Sequence, residues 1–181
     1  MLLINFLKEI SEDVLNLNVS MIHELQTDSK ISKDMMIKRL TNQLIFFDKL
    51  NLNGIKIADV GSGLGIHGNF FYLKNAEVKL FEPNKKNYDT CKSLFSHLNV
   101  LNSEFNVDET FDIITMFGVT QFVSEEYIDM IYQRTKMLIV DTAKPIENDY
   151  ECRYNRKYYD PITEYHSGRK RQFNVYINNK I

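Results

Sequence analysis

The sequence predicts an α/β fold in which a doubly wound, mainly parallel sheet follows an N-terminal helical extension and closes with an antiparallel hairpin. Three observations predict it. The first fifty residues carry apolar side chains at helical spacing, and from Gly54 onward short apolar runs alternate with amphipathic segments. The first of those runs ends in a cluster of glycines. Strands alternating with helices imply parallel pairing, right-handed crossovers and helices over both faces of the sheet.

Taken in order, Leu3, Phe6, Leu7, Ile10, Val14 and Leu17 keep near-helical spacing, and residues 20–30 read as a polar connection. A second helix is expected over residues 33–50, with Met36, Ile37, Leu40, Leu44, Phe47 and Leu50 on one side. Ser32 and Asp34 are its candidate caps, and Asn51-Leu52-Asn53-Gly54 supplies its stop. Residues 55–60 form a short buried strand running into the glycines, and Phe70, Phe71 and Leu73 give the apolar part of a short helix. A second strand is expected at 77–81, a helix at 88–98 and a weaker third strand at 100–105. A fourth strand at 111–117 is centred on Ile113-Ile114. Ser124 caps a helix carrying Tyr127, Ile128, Ile131 and Tyr132, with Glu125 and Glu126 in its positive first turn. Residues 137–140 make a fifth strand. Beyond it Tyr158-Tyr159-Asp160-Pro161 reads as a turn, and 162–166 pairs with 172–177 around a tip at Ser167-Gly168-Arg169. The link between the third and fourth strands is too short for a crossover helix.

The 181 residues suit one domain, with 1–53 as a helical extension or lid and 54–181 as the core. At 44% hydrophobic and 25% charged residues, the chain can bury a sizeable core. A net charge of −2 excludes a surface basic all over, but not a local basic patch. Cys91 and Cys152 stand too far apart for metal-ligand spacing, so no metal is expected and both read as free thiols. The apolar start is broken by Lys8, Glu9, Glu12 and Asp13, without a basic leader or cleavage site, and no apolar run reaches the ~18 residues of a membrane span. The expectation is a soluble cytoplasmic protein without a membrane partner; the oligomeric state is left open.

The glycine turn carries the functional signal. A strand that ends at Val60 and turns through Gly61-Ser62-Gly63-Leu64-Gly65 into a helix has the geometry of a nucleotide site, because glycines accept positive φ and let backbone approach a ligand. Two cofactors fit. Gly63-Leu64-Gly65-Ile66-His67-Gly68 matches G-x-G-x-x-G with Glu82 about twenty residues on, as for a dinucleotide. That match is out of register, since the strand ends before Gly61. Asp59, two residues before the first glycine, would oppose a pyrophosphate and suit an ammonium group.

Asp59-x-Gly61-x-Gly63-x-Gly65 resembles the first motif of the class I, Rossmann-like S-adenosylmethionine-dependent methyltransferases. Val78-Lys79-Leu80-Phe81-Glu82-Pro83-Asn84 resembles their second motif, in which an acidic residue takes both ribose hydroxyls, as two carboxylate oxygens can. Thr110-Phe111-Asp112-Ile113-Ile114-Thr115-Met116-Phe117-Gly118-Val119 resembles the fourth, with the aspartate structural. The likeness covers residues 54–142. It implies S-adenosyl-L-methionine as cofactor, held by Asp59, Gly61, Ser62, Gly63, Gly65, Glu82, Pro83, Asn102, Ser103 and Phe117, with Asn102-Ser103-Glu104 near the adenine. Phe117 to Phe122 would line the floor between cofactor and substrate.

The resemblance implies methyl transfer to an oxygen or nitrogen atom. The Asn/Asp-Pro-Pro-aromatic signature of amino methylation of bases is missing after the fourth strand, and no Pro-Cys dipeptide serves a cysteine mechanism. Gly118-Val119-Thr120-Gln121-Phe122 resembles the segment of small-molecule enzymes, although Gln121 orients a substrate without accepting a proton. His67 and His166 are the other catalytic candidates; His23 falls in the expected link and His97 on a helix face. Basic and aromatic residues interleave near the C-terminus (Arg153, Arg156, Lys157, Arg169, Lys170 and Arg171 with Tyr150, Tyr154, Tyr158, Tyr159 and Tyr165), which suits an anionic substrate or RNA as well as a charged sheet edge. A small-molecule methyltransferase is the expectation. The alternatives are an RNA or nucleotide methyltransferase and a non-catalytic cofactor-binding subunit.

Overall fold

The computed structural model describes residues 2–10, 12–25, 33–143, 146, 148–159 and 170–181. Two compact units emerge: Met1–Asn51 with Tyr158–Lys170, and Leu52–Lys157 with Arg171–Ile181.

In the first unit, α1 (Leu2–Glu9) and α2 (Glu12–Leu25) both pack on α3 (Lys33–Asp48). Two helices therefore stand where one helix and a polar link were expected. Glu12 and Asp13 supply an acidic first turn that favours a fresh helix start. Val14, Asn18, Met21, Ile22 and Leu25 continue the helical spacing through the supposed link, so His23 is helical. α3 buries Met36, Leu40, Leu44 and Phe47 along one stripe. Asp34 lies within its first turn, and Ser32 falls outside the described residues. Asp48 Oδ1 accepts from the Leu3 backbone N–H at 3.2 Å, and Glu12 pairs with Lys33.

The second unit is built on a seven-stranded sheet. Its strands are β1 (Lys56–Val60), β2 (Glu77–Phe81), β3 (Asn99–Leu101), β4 (Phe111–Phe117), β5 (Thr135–Thr142), β6 (Cys152–Tyr159) and β7 (Lys170–Ile177), in the order β3-β2-β1-β4-β5-β7-β6. β1 to β5 pair in parallel, and β7 runs antiparallel to β5. α4 (Ile66–Leu73) and α5 (Lys85–Leu94) lie on the face of Leu80. α6 (Glu125–Tyr132) covers the other face, where Ile128 and Ile131 join Ala58, Val60, Phe81, Ile114, Met116, Leu138 and Val140 in the main core. Helices on both faces make this the doubly wound α/β sheet expected. Asp112 is structural: its carboxylate accepts from the Lys56 backbone N–H at 3.0 Å and from Lys136 Nζ at 2.8 Å, joining β1, β4 and β5.

Four boundaries differ from expectation, each for a local reason. α5 begins three residues early because the Asn84 side chain caps it, accepting from Asn87 N–H at 3.1 Å. β3 stops at Leu101; Phe105 leaves the sheet and is buried between the rings of Phe81 and Phe111, its N–H donating to Tyr127 Oη. No helix separates β3 from β4. β5 exceeds 137–140 at both ends, its last residues pairing with β7. The C-terminal antiparallel strand is present as β7, but its neighbour in the sheet is β6, so Tyr158 and Tyr159 are strand residues and not a turn. The expected arm at 162–166 and the tip at 167–169 lie outside the described residues. Ser124 caps α6 as its sequence suggests. Among the described residues no helix is long and apolar enough to cross a membrane.

Candidate functional site

The sheet reverses its winding between β1 and β4: from β1 the chain builds outward to β2 and β3, and from β4 outward to β5. Ligands of open α/β sheets bind beyond the strand carboxyl ends at such a switch point. The glycine turn sits there. Gly61, Gly63 and Gly65 have φ of +69°, +56° and +77°, which L side chains resist. The packing forbids more than the torsions do. A Cβ on Gly61 would lie 2.4 Å from Val119 Cγ2, and one on Gly65 would lie 2.4 Å from Cys91 Sγ. Gly61 N–H donates to Phe81 O, and Gly65 N–H to Ser62 O.

Asp59 pairs in register with Leu80 on β2 and Thr115 on β4, which puts all three on the α4 face. Its Oδ1 accepts from Thr115 Oγ1 at 2.8 Å. Its Oδ2 is buried with no hydrogen-bond partner, and so is Ser62 Oγ in the turn. A buried carboxylate oxygen without a donor is expensive. Burial accordingly pushes the Asp59 carboxyl up to about 7; the Thr115 hydroxyl opposes the rise and the Glu82 carboxylate adds to it.

Glu82, just past β2, is clamped from two sides. Its Oε2 accepts from Gly63 N–H at 2.7 Å and its Oε1 from Asn84 N–H at 2.8 Å. Burial raises its carboxyl above the usual range, against those two amides and the Asn87 side chain. Each carboxylate oxygen keeps a further lone pair for a second donor. Asn102 approaches from the end of β3, its amide NH2 donating to Glu82 O at 2.9 Å and Pro83 O at 3.1 Å. It braces the loop that carries Glu82. Ser103 and Pro83 are exposed. Cys91 is no nucleophile: burial, then the charges of Asp59 and Glu82, pushes its thiol up to about 12.

The structure thus gathers Asp59, Gly61, Ser62, Gly63, Gly65, Glu82, Pro83 and Asn102 around one turn. On the β4 side, Phe117 ends the strand and meets His67, from the first turn of α4, with ring centroids 4.6 Å apart. Gln121 is exposed in a single 3-10 turn at Thr120–Phe122, and His166 lies outside the described residues. His97 hydrogen-bonds Asn69. Sequence reasoning missed Thr115 as part of the site. The signal for Thr115 was a hydroxyl inside the apolar run Ile113 to Met116, where a buried polar group needs a partner. Arg171 was misread: it is 2% exposed, with Nη1 at 3.5 Å from Asp141 Oδ1. It is part of the β5–β7 junction and not of a basic surface.

No protein-family model matches the sequence, and neither does any curated protein. Solved structures do match. A Thermoplasma acidophilum protein is 17% identical with a TM-score of 0.68, over 80% of this chain and 88% of that one. Magnesium protoporphyrin IX methyltransferase from Synechocystis PCC 6803, solved with bound S-adenosylmethionine, is 10% identical with a TM-score of 0.63, over 89% and 91%. The Pyrococcus abyssi tRNA (uracil-54, C5)-methyltransferase, in complex with S-adenosyl-L-homocysteine, is 12% identical with a TM-score of 0.63, over 77% of this chain and 38% of that one. At these identities the likeness establishes the fold, which is the Rossmann-like methyltransferase fold.

Proposed function

We propose that this chain is an S-adenosylmethionine-dependent methyltransferase that modifies an oxygen or nitrogen atom of a small molecule. The observation that carries the reading is the pair of buried, partnerless oxygens, Asp59 Oδ2 and Ser62 Oγ, at a glycine turn whose next acidic neighbour is the clamped Glu82. This donor set fits the cofactor. Asp59 suits an ammonium group, Glu82 has lone pairs left for a cis-diol, and Gly61 and Gly65 let the turn pack directly on Val119 and Cys91. It does not fit a dinucleotide, whose pyrophosphate would face Asp59 across the turn. Asn102 serves by bracing the Glu82 loop. Ser103 and Pro83 are assigned outer positions near the adenine.

S-adenosylmethionine, when bound, supplies a methyl group already activated on a sulfonium. The chain's own residues then have to align the acceptor and exclude water, work that needs no strong base. Val119, packed on Gly61, and Phe117 supply apolar walls for it. Two features favour a small acceptor over RNA: Arg171 is removed from the basic segment by Asp141, and Arg153 is paired with Glu151.

Thermal unfolding with S-adenosylhomocysteine against NAD tests the cofactor. A ligand at 100 times its dissociation constant adds about 2.7 kcal/mol, or roughly 5–10 °C for a chain of this size. The homocysteine compound is expected to give that shift and NAD none. The reverse result would sink the reading.

A further inference from the structure

Resting on the methyltransferase reading, we propose that Asp59 releases a proton to solvent when the glycine turn takes its S-adenosyl ligand, so that pH gates cofactor capture. The inference starts from the unequal support of two neighbouring carboxyls. Glu82 is held by the Gly63 and Asn84 backbone amides, at 2.7 and 2.8 Å, with the Asn87 side chain as a further donor. Asp59 has the Thr115 hydroxyl on Oδ1, at 2.8 Å, and no donor among the described residues on Oδ2, at 2% exposure. Of the two, Glu82 is built to carry the charge and Asp59 to stay neutral.

The neighbouring elements agree. Burial holds the Asp59 carboxyl up at about 7, against the Thr115 hydroxyl on β4 and with the Glu82 charge beyond β2 adding to the rise. On α5 the Cys91 thiol is raised by burial and then by the charges of Asp59 and Glu82, with Lys92 opposing. α4 carries His67, whose ring lies against Phe117, and the exposed Tyr72 beside His97. An ammonium group reverses the balance at Asp59. It brings N–H donors and a full positive charge to Oδ2, which favours the carboxylate. A protonated Oδ2 would instead set one donor against another. Asp59 therefore exchanges its proton for the ligand's cation, and the proton leaves to water. Ser62 Oγ, buried in the same turn and equally without a partner, likewise accommodates polar groups that the described residues do not supply.

Titration calorimetry on the full chain reads the proton directly. S-adenosylhomocysteine, which carries the ammonium group, is titrated at pH 6 and pH 8 in buffers of low and high ionisation enthalpy. Methylthioadenosine, which has the nucleoside and thioether without the amino acid, is the paired probe. Asp59 must be ionised to hold the ammonium, so S-adenosylhomocysteine should bind about tenfold more tightly at pH 8 than at pH 6, releasing about 0.9 proton per ligand at pH 6. Methylthioadenosine should bind equally at both and release none. Asp59→Asn should flatten the pH dependence of S-adenosylhomocysteine, whereas His67→Gln should keep the tenfold ratio. The wild-type titrations decide by themselves if Asp59→Asn does not fold. Equal S-adenosylhomocysteine affinity at the two pH values, the same pH dependence for methylthioadenosine, a ratio retained by Asp59→Asn or one lost in His67→Gln would each overturn the proposal. In each of those cases S-adenosylhomocysteine still binds and the cofactor reading stands. Binding of neither compound at either pH would overturn both.

Discussion

Burial holds the Asp59 carboxyl near 7, well above the 3.8 of an exposed aspartate, because one oxygen has only Thr115 and the other has no donor. Between those two values the folded chain keeps a proton that the unfolded chain has lost. The contribution to stability is therefore full below about pH 4 and disappears as pH rises through about 7. The whole shift corresponds to at most about 4 kcal/mol. Asp59→Asn removes the titration, so this variant should be more stable than the wild type at pH 8, by roughly 2 kcal/mol, and should lose most of the slope between pH 5 and pH 8. Urea unfolding at the two pH values measures both. A wild type whose stability is flat over that range would mean that Asp59 titrates as an exposed residue does. At this scale the acidic residues were legible, since a strand end next to glycines fixes where Asp59 stands. The clamp on Glu82 was not, because it depends on Gly63 and Asn84 backbone amides that no side-chain pattern reports.

Among elements, the turn is defined by what surrounds it. Gly65 needs positive φ, and Cys91 on α5 fills the place of its missing Cβ. Gly65→Ala combines the left-handed cost of about 1–2 kcal/mol with overpacking of about 1–3 kcal/mol, so a loss of roughly 3 kcal/mol is expected by denaturant unfolding. Cys91→Ala should return the overpacking part in a double variant, because the two sites touch; additive losses would mean that torsion alone is responsible. The glycines were readable from sequence, and so were β2 and β4, whose apolar runs ended where the strands end. Edge elements were not. β6 occupies the end of the sheet order and carries Arg153, Arg156 and Lys157, the charged pattern that guards an edge and hides the strand. β3, three residues long, gives no periodicity to read.

For the whole molecule, the antiparallel β7 joins the chain's last stretch to the parallel sheet, and the junction holds a buried ion pair. Arg171 and Asp141 are 2% and 0% exposed, and Arg171 Nη1 also donates to the Asp141 backbone carbonyl at 3.2 Å. Two desolvated charges repay little of their burial, but removing one strands the other at a cost of about 3–5 kcal/mol. Arg171→Met should therefore lower Tm by roughly 10 °C. Asp141→Leu with Arg171→Met should recover most of that, since an apolar pair of similar size replaces the ions without an orphan. Differential scanning calorimetry of the two variants reads the contrast. A surface arginine that bound RNA would behave in the opposite way: Arg171→Met would leave Tm unchanged and weaken RNA binding while reducing its salt dependence.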